Sequence, residues 1–516
     1  MKKIFLLPLA VLTLFGSCKL DLEPENALTY TNSFRTEREL NTTTTSIHFY
    51  INTTVGNNPT FTLAGLKVDE VQGSEQVRQW NPRSVMSTDN TWKGLYDLIF
   101  ESNLLLDNIH RTENLSQDRA NYHKGQAEFG LGLGYFLVAQ RYGDAIITEN
   151  SWVIKAYPAS PQLEVVNTAI AHALKAYDLL PTYDKLRDID GTPITNRQVA
   201  SKGTCAALLA HLYAWKGSII DLYGLPGNAQ EAYTKSVEYA TRLIEGKAGN
   251  YSLCANPETL CQFLSDPSKT NPEVVFSLLF DKIRSADTSS PNEVARGFVS
   301  WPVDENQTPA DIAVNPSYRL YKSTIDALFP DATDLRRKAF FYEIDQQHKA
   351  NGIDYAVMYK FRTAVMDPDQ SSQSGKVYRT INADYVYWRL ADFYLLRAEC
   401  YAKLGNTASA EADLNVIRNR AGALTYPSLY DTEGLQKAIF REREKEFIAE
   451  NDSRYADILR NNYVKDELQG KFTVLTKREI KDGALVLPIP PSAWQDRDGH
   501  ITNTVIRQKP YWQAYQ

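Results

Sequence analysis

Apolar residues recur along most of this chain at the three-and-four spacing of helices that bury one face, and the helices predicted in this way come in pairs. The clearest pair lies in "YWRLADFYLLRAECYAKLGNTASAEADLNVIRNRAG". There Ala391, Ala398 and Ala402 leave room for close helix contact, Gly405 suits the left-handed cap, and a second helix presents Ala410, Leu414, Ile417 and Ala421. "ASKGTCAALLAHLYAWKGSIIDLYG" with "NAQEAYTKSVEYATRLIEG", and "RANYHKGQAEFGLGLGYFLVAQRYGD" with "LEVVNTAIAHALKAYDLL", read as two more pairs. An earlier helix, "TWKGLYDLIFESNLLLDNIH", puts Trp92, Tyr96, Ile99 and Leu104 or Leu105 on one face. Small residues at the crossing, with aromatics such as Tyr394 and Tyr401 filling gaps, are the design of tetratricopeptide repeats. The expected fold class is mainly α: a tetratricopeptide-like helical repeat scaffold carrying long loop-rich insertions.

Those insertions fall near 50–88, 248–316 and 364–384, with a loop-rich tail after 461, each rich in Asn, Pro, Ser, Thr and Asp. Long loops on a rigid scaffold are where binding residues are sought first.

The first residues follow a different pattern. Lys2 and Lys3 precede an apolar run from Ile4 to Phe15 that contains Pro8 and is too short to span a bilayer, which is the layout of a signal peptide. Gly16 and Ser17 then lead into Cys18, resembling the lipobox of bacterial lipoproteins, with Phe15 where leucine is usual and Leu14 one place earlier. That resemblance implies a signal peptide over 1–17 and a lipid-bearing Cys18. The lipidated tether over 18–30 holds Lys19, Asp21, Glu23 and Pro24, and is similar to the acidic export signal of surface lipoproteins in Bacteroidetes. A soluble secreted protein cut near the same point is the alternative.

Composition narrows the chemistry. The 516 residues are 43% hydrophobic and 23% charged with a net charge of -6, which is globular and too acidic to suggest nucleic acid. Cys205 and Cys400 fall on apolar helical stripes, whereas Cys254 and Cys261 share a polar segment where a local disulfide is sterically open. The seven histidines are scattered, with no pair at the spacing of zinc hydrolases. "DIDG" (188–191) and "DRDG" (496–499) start like calcium loops, but the position of the late bidentate glutamate holds Val199 and Arg507. "FGLGLGYF" has no Lys-Ser/Thr partner for a phosphate. No metal, cofactor or catalytic residue is therefore expected.

What remains is aromatic surface, with 30 Tyr and 8 Trp. Carbohydrate recognition uses flat aromatic faces beside amide and acid hydrogen-bonding groups, although the same residues fill gaps between helices. Trp92, Trp215 and Trp388 lie on helical stripes and are expected in the core, and Trp152 is undecided. Trp80, beside Arg78 and Asn81, and Trp301, beside Asp304 and Asn306, lie in the long insertions and are the candidate ligand platforms. The competing reading makes each a loop anchor or a partner contact.

The C-terminal third resembles the SusD/RagB family of outer-membrane nutrient-binding lipoproteins. "RLADFYLLRAE" (389–399) is similar to its Arg-aromatic-Ala-Glu helix, with Asp392 in place of the usual glutamate. Glu442, Arg443, Glu446, Glu450, Arg454, Asp457 and Arg460 follow its charged signature, with one residue inserted between Glu450 and Arg454. "LPIP" (487–490) and "IRQKPYW" (506–512) resemble its closing elements, with Lys509 for the usual asparagine. Taken by themselves, Glu442, Glu446 and Glu450 repeat every four residues on one helix face and read as a partly buried ion-pair network.

The resemblance implies a single domain over 31–516 with family motifs across 385–516. It also implies a lipid-anchored protein of the outer membrane, exposed at the cell surface, that binds oligosaccharide or polysaccharide and delivers it to a SusC-like TonB-dependent barrel. No reaction is required of it. A peptide-binding member of the family, a structural lid that binds nothing, and a glycoside hydrolase with paired carboxylates are the alternatives.

Overall fold

A computed structural model describes residues 33–55, 59–88, 91–280, 292–302, 316–371, 375–450, 453–496 and 498–516. Cys18, Asp304 and Asn306, and the leader and tether over 1–30, lie outside the described residues.

The longer helices are α1 (Glu37–Val55), α2 (Trp92–Asn108), α3 (Gln117–Tyr142), α4 (Gln162–Leu179), α5 (Lys202–Tyr223) and α6 (Ala229–Ile244), followed by α7 (Leu390–Lys403), α8 (Thr407–Arg420), α9 (Leu435–Phe447) and α10 (Ser453–Arg460). The three predicted pairs form: α3 packs on α4, α5 on α6 and α7 on α8, while α2 lies against both α1 and α3. Local chemistry sets their ends. The Ser201 hydroxyl and Thr204 make a reciprocal capping box at the start of α5. Gly405 takes the left-handed conformation (φ 78°) just past α7. The glycines of "FGLGLGYF" serve close packing. A Cβ on Gly130 would lie 2.3 Å from Ser102 Oγ, and one on Gly134 2.9 Å from Ile99, so α3 approaches α2 only because these positions lack side chains. Arg141 of α3 reaches back to α1, donating to the carbonyls of Thr54 (3.3 Å) and Val55 (2.9 Å), which the end of a helix leaves without partners.

The insertions hold more regular structure than their composition predicts. Within 50–88, α1 continues to Val55 and short helices follow at Pro59–Gly65, Glu75–Arg78 and Pro82–Met86. Within 248–316 there is a helix at Pro257–Leu264 and a strand at Val274–Leu278, paired antiparallel with Tyr385–Arg389. Residues 364–384 carry a hairpin of Ala364–Pro368 with Lys376–Ile381. An antiparallel sheet runs in the order Glu70–Val71, Tyr318–Tyr321, Ile353–Met358, Phe341–Tyr342. Trp388, expected on a helical stripe, is buried from a strand instead, because "YVYWR" is a short apolar run that periodicity alone does not assign.

One core gathers residues from Phe34 to Trp512 around α1 to α6. A second, holding Trp301, Phe340 and Phe361, lies under the sheet, and a third fills the space between α7, α8 and α9. Trp92 and Trp215 are buried as expected, and so are all four described cysteines, which are free thiols. Cys254 Sγ faces Asn271 Oδ1 at 3.6 Å and Cys261 Sγ faces the Ala339 carbonyl at 3.5 Å, so the two point to different partners and form no disulfide. Burial pushes both thiols up to about 12, away from thiolate reactivity.

Candidate functional site

The two aromatic platforms expected from the sequence are not open to a ligand. Trp80 is 0% exposed. It stacks on Phe472 with ring centroids 5.0 Å apart, meets Tyr455 and Trp512, and donates Nε1–H to the Ala484 carbonyl at 2.7 Å. Its backbone sits at φ 58°, a conformation that a tryptophan holds only when its surroundings enforce it. Arg78 is also buried, paired with Glu75 and donating to the carbonyls of Val68 and Asp69, while the Asn81 side chain caps the helix Pro82–Met86. Trp301 is buried edge-on to Tyr359 in the second core. Both tryptophans anchor the described parts of their insertions, which pack on the protein's cores.

Apart from Arg454, which pairs with Glu444 (2.6 Å) and Glu467 (3.0 Å) on the other side of α9, the charged signature is a buried network in two parts. In the first, Arg336 is 2.7 Å from Asp334, 2.6 Å from Glu442 and 3.2 Å from Glu446. Arg389 reaches Glu273 (2.9 Å), Glu446 (2.7 Å) and Glu450 (2.7 Å). Arg420 joins Glu273 to Glu446, and Lys360 pairs with Glu450 while donating to the Glu446 carbonyl. In the second part, Arg443 bridges Asp392 and Asp457, Arg460 bridges Glu399 and Asp457, and His211 Nε2 sits 2.7 Å from Asp392. Burial alone would raise these carboxyls. The facing guanidiniums overcome it, so Glu446 is held well below the usual range by Arg420, Arg389 and Arg336, and Glu399 falls to about 2 beside Arg460. Every carboxylate here is occupied by cations of its own chain, which suits a structural lock joining α7, α8, α9 and the sheet.

The other face of α9 is different. Lys437, Arg441, Glu444 and Lys445, spaced by a helical turn, line a cleft of about 530 Å³, within the usual size range of small-molecule sites. One wall is Thr324, Ala327, Leu328, Pro330 and Asp331. The opposite side carries Asp466 and Glu467, with Lys67 also in the lining, and the loop 423–434 brings Leu424, Tyr430 and Glu433. That loop is held at several points. Asp331 Oδ2 accepts from Leu424 N (2.7 Å), and Tyr426 exchanges two hydrogen bonds with Asn415. Arg418 grips Asp431 with two bonds of 2.8 and 2.7 Å, and Asp431 in turn accepts from Ser428. Tyr430 remains 43% exposed on this fixed support, so its ring is offered to a ligand with little ordering left to pay in entropy.

Chemically, the cleft sets a phenol ring and aliphatic surface among carboxylates, guanidiniums and ammoniums. Such a mixture can cover an apolar ring face and hydrogen-bond polar groups at its edge. None of these residues was picked out by sorting tryptophans. The available signal was the polar "TYPSLYD" loop (425–431) following the Arg418 and Arg420 helix end.

The remaining sequence candidates resolve as turns. Asp188 Oδ1 accepts from the backbone of Asp190 and Thr192. Asp496, Asp498 and His500 gather their ligand atoms within 4.8 Å, and Asp496 Oδ1 accepts from the backbone of Asp498 and His500. Among the described residues no helix is long and apolar enough to cross a membrane.

Comparison with known proteins then places the chain. A model of the SusD family matches residues 342–485, and a model described as starch-binding associating with outer membrane matches 20–196, so that the two together cover more than half of the sequence. The chain belongs to the SusD/RagB family. Among curated relatives, a SusD-like protein, P25, of Formosa agariphila is 25% identical over 437 residues, covering 78% of this chain and 76% of the relative. A SusD homolog from Bacteroides thetaiotaomicron superposes with a TM-score of 0.73 at 20% identity, covering 93% of this SusD-like chain and 99% of the other. Bacteroides fragilis NanU gives 0.66 at 21%, covering 95% and 100%. These structures share the mainly helical, tetratricopeptide-like fold. Membership of the family places the chain among nutrient-binding proteins associated with the outer membrane, whose members are binding proteins.

Proposed function

We propose that this SusD-like protein captures an oligosaccharide or polysaccharide at the cell surface in the cleft between α9 and the 423–434 loop, and delivers it to a SusC-like TonB-dependent barrel. The observation that carries the reading is the cleft itself: a held loop presents the exposed Tyr430 above the charged side chains of α9. Attachment through a lipid on Cys18, following removal of 1–17, keeps the protein at the outer membrane. Several acyl chains on one residue give firm hold, since each buried methylene contributes about 0.8 kcal/mol.

A second surface suits the transporter. Trp152 and Ile154, 67% and 99% exposed, project from the connection between α3 and α4. That connection touches the 495–505 loop, where Asn503 Nδ2 donates to the Tyr157 carbonyl at 2.9 Å and Ile501 and Val505 are also exposed. Exposed apolar surface of this kind marks protein contact.

Native affinity gels cast with a panel of soluble polysaccharides test the binding reading. Retardation by at least one polymer is expected. Retardation by none, with capture of peptides from a mixed digest, would transfer the site to the peptide-binding alternative. New reducing ends on incubation would indicate a hydrolase.

A further inference from the structure

Each cation lining the cleft has a carboxylate partner except one. Lys67 lies 3.5 Å from Glu444, Arg418 holds Asp431, Lys437 holds Glu467 at 2.7 Å, and Arg441 holds Glu467 and Glu444. Among the described residues no ion pair or hydrogen bond engages the Lys445 ammonium, which lies over the Phe329 ring, 5.8 Å from its centroid. Glu442, Asp334 and Asp331 face it from further off, but each is already engaged, Glu442 by Arg336 and Arg418, Asp334 by Arg336, and Asp331 by hydrogen bonds from the Leu424 and Thr333 backbone amides and the Thr333 hydroxyl. Position in the last turn of α9 offers it the helix dipole, which compensates only a fraction of a charge. Burial accordingly pushes this lysine below its usual range, with the Glu442 charge opposing that shift. A half-buried cation in a ligand-sized cleft, without its own counter-ion, is the complement of an anionic group on the ligand.

We propose that the cleft takes an acidic saccharide, whose uronate carboxylate or sulfate ester lies against the Lys445 ammonium. This rests on the saccharide reading of the cleft and narrows it to charged polymers. The chain as a whole carries a net charge of -6, so general attraction of polyanions does not account for such binding and the local cation must supply it.

The test uses the whole protein in affinity gels and calorimetry with polygalacturonate for the uronate, carrageenan for the sulfate ester and dextran as the neutral control. Wild type is expected to bind one of the two acidic polymers at least about tenfold more tightly than dextran, the factor that one charge-assisted hydrogen bond carries. Lys445→Gln should lose that margin and Lys445→Arg should keep most of it. As a readout independent of any variant, wild-type affinity should fall as salt rises from about 50 to about 500 mM. Equal affinity for dextran, binding unchanged in Lys445→Gln, or binding insensitive to salt would overturn the acidic assignment while leaving a saccharide cleft in place. Binding of no saccharide at all would overturn both.

Discussion

Arg389 and Glu450, 61 residues apart in sequence, meet through two hydrogen bonds of 2.7 Å, from Nε to Oε2 and from Nη2 to Oε1, with both side chains buried. The pair ties the strand that precedes α7 to the end of the α9 segment, and Lys360 shares the same carboxylate. A planar fork on a carboxylate combines charge with fixed geometry. The face of α9 that lines the cleft is set in place by the opposite face, which this network locks.

Glu450→Gln is therefore expected to leave two cations, Arg389 and Lys360, short of charge in the interior. The cost should be about 3–5 kcal/mol, as for other buried pairs that lose one partner. Urea unfolding monitored by tryptophan fluorescence reads this directly, and a midpoint equal to wild type would show that the network does not hold the fold.

Lys509 gives a prediction with the opposite sign. Its Nζ is buried without a hydrogen-bond partner, and burial lowers its pKa to about 8, with Asp144 opposing the shift. In the unfolded chain this lysine stays protonated up to about 10.4, so between these values the folded state binds fewer protons and stability rises with pH. Below about 8 the penalty is present in full. Lys509→Met should thus stabilise the protein at pH 7 by about 1–3 kcal/mol, and the gain should shrink as pH climbs towards 10. Thermal melts of both proteins across that range check it, and a difference that does not change with pH would contradict it.

Trp80→Ala should act on folding and not on recognition. The ring fills the space between Phe472, Tyr455 and Trp512, so truncation should cost about 3–5 kcal/mol of stability. Saccharide affinity measured well below the melting point should stay as in wild type. A selective loss of affinity at unchanged stability would restore Trp80 as a ligand contact.

The contrast between Trp80 and the helix pairs shows what was legible in the sequence. Ala391, Ala398 and Ala402 announce their helix because the information is periodic and local, and the capping residues beside them are local too. The sheet is not legible in the same way, since pairing Tyr318–Tyr321 with Ile353–Met358 depends on register between distant segments. Trp80 and Trp301 carried loop composition around them, which says nothing of whether a loop packs on the core. The charged signature could be read as an ion-pair network from Glu442, Glu446 and Glu450, but its partners could not: Glu273 meets Arg420 from 147 residues away. Tyr430 was missed for the opposite reason, being an ordinary tyrosine whose importance comes from Asp331, Asn415 and Arg418 holding its loop.

The central claim, that saccharide binds in the α9 cleft, is tested most directly by calorimetry of Tyr430→Ala against the polymer fragment that retards wild type. Loss of one aromatic face of about 1.5 kcal/mol or more should weaken binding at least about tenfold, with an unchanged melting temperature because the ring is half exposed. Affinity equal to wild type in Tyr430→Ala would place the saccharide elsewhere on the protein.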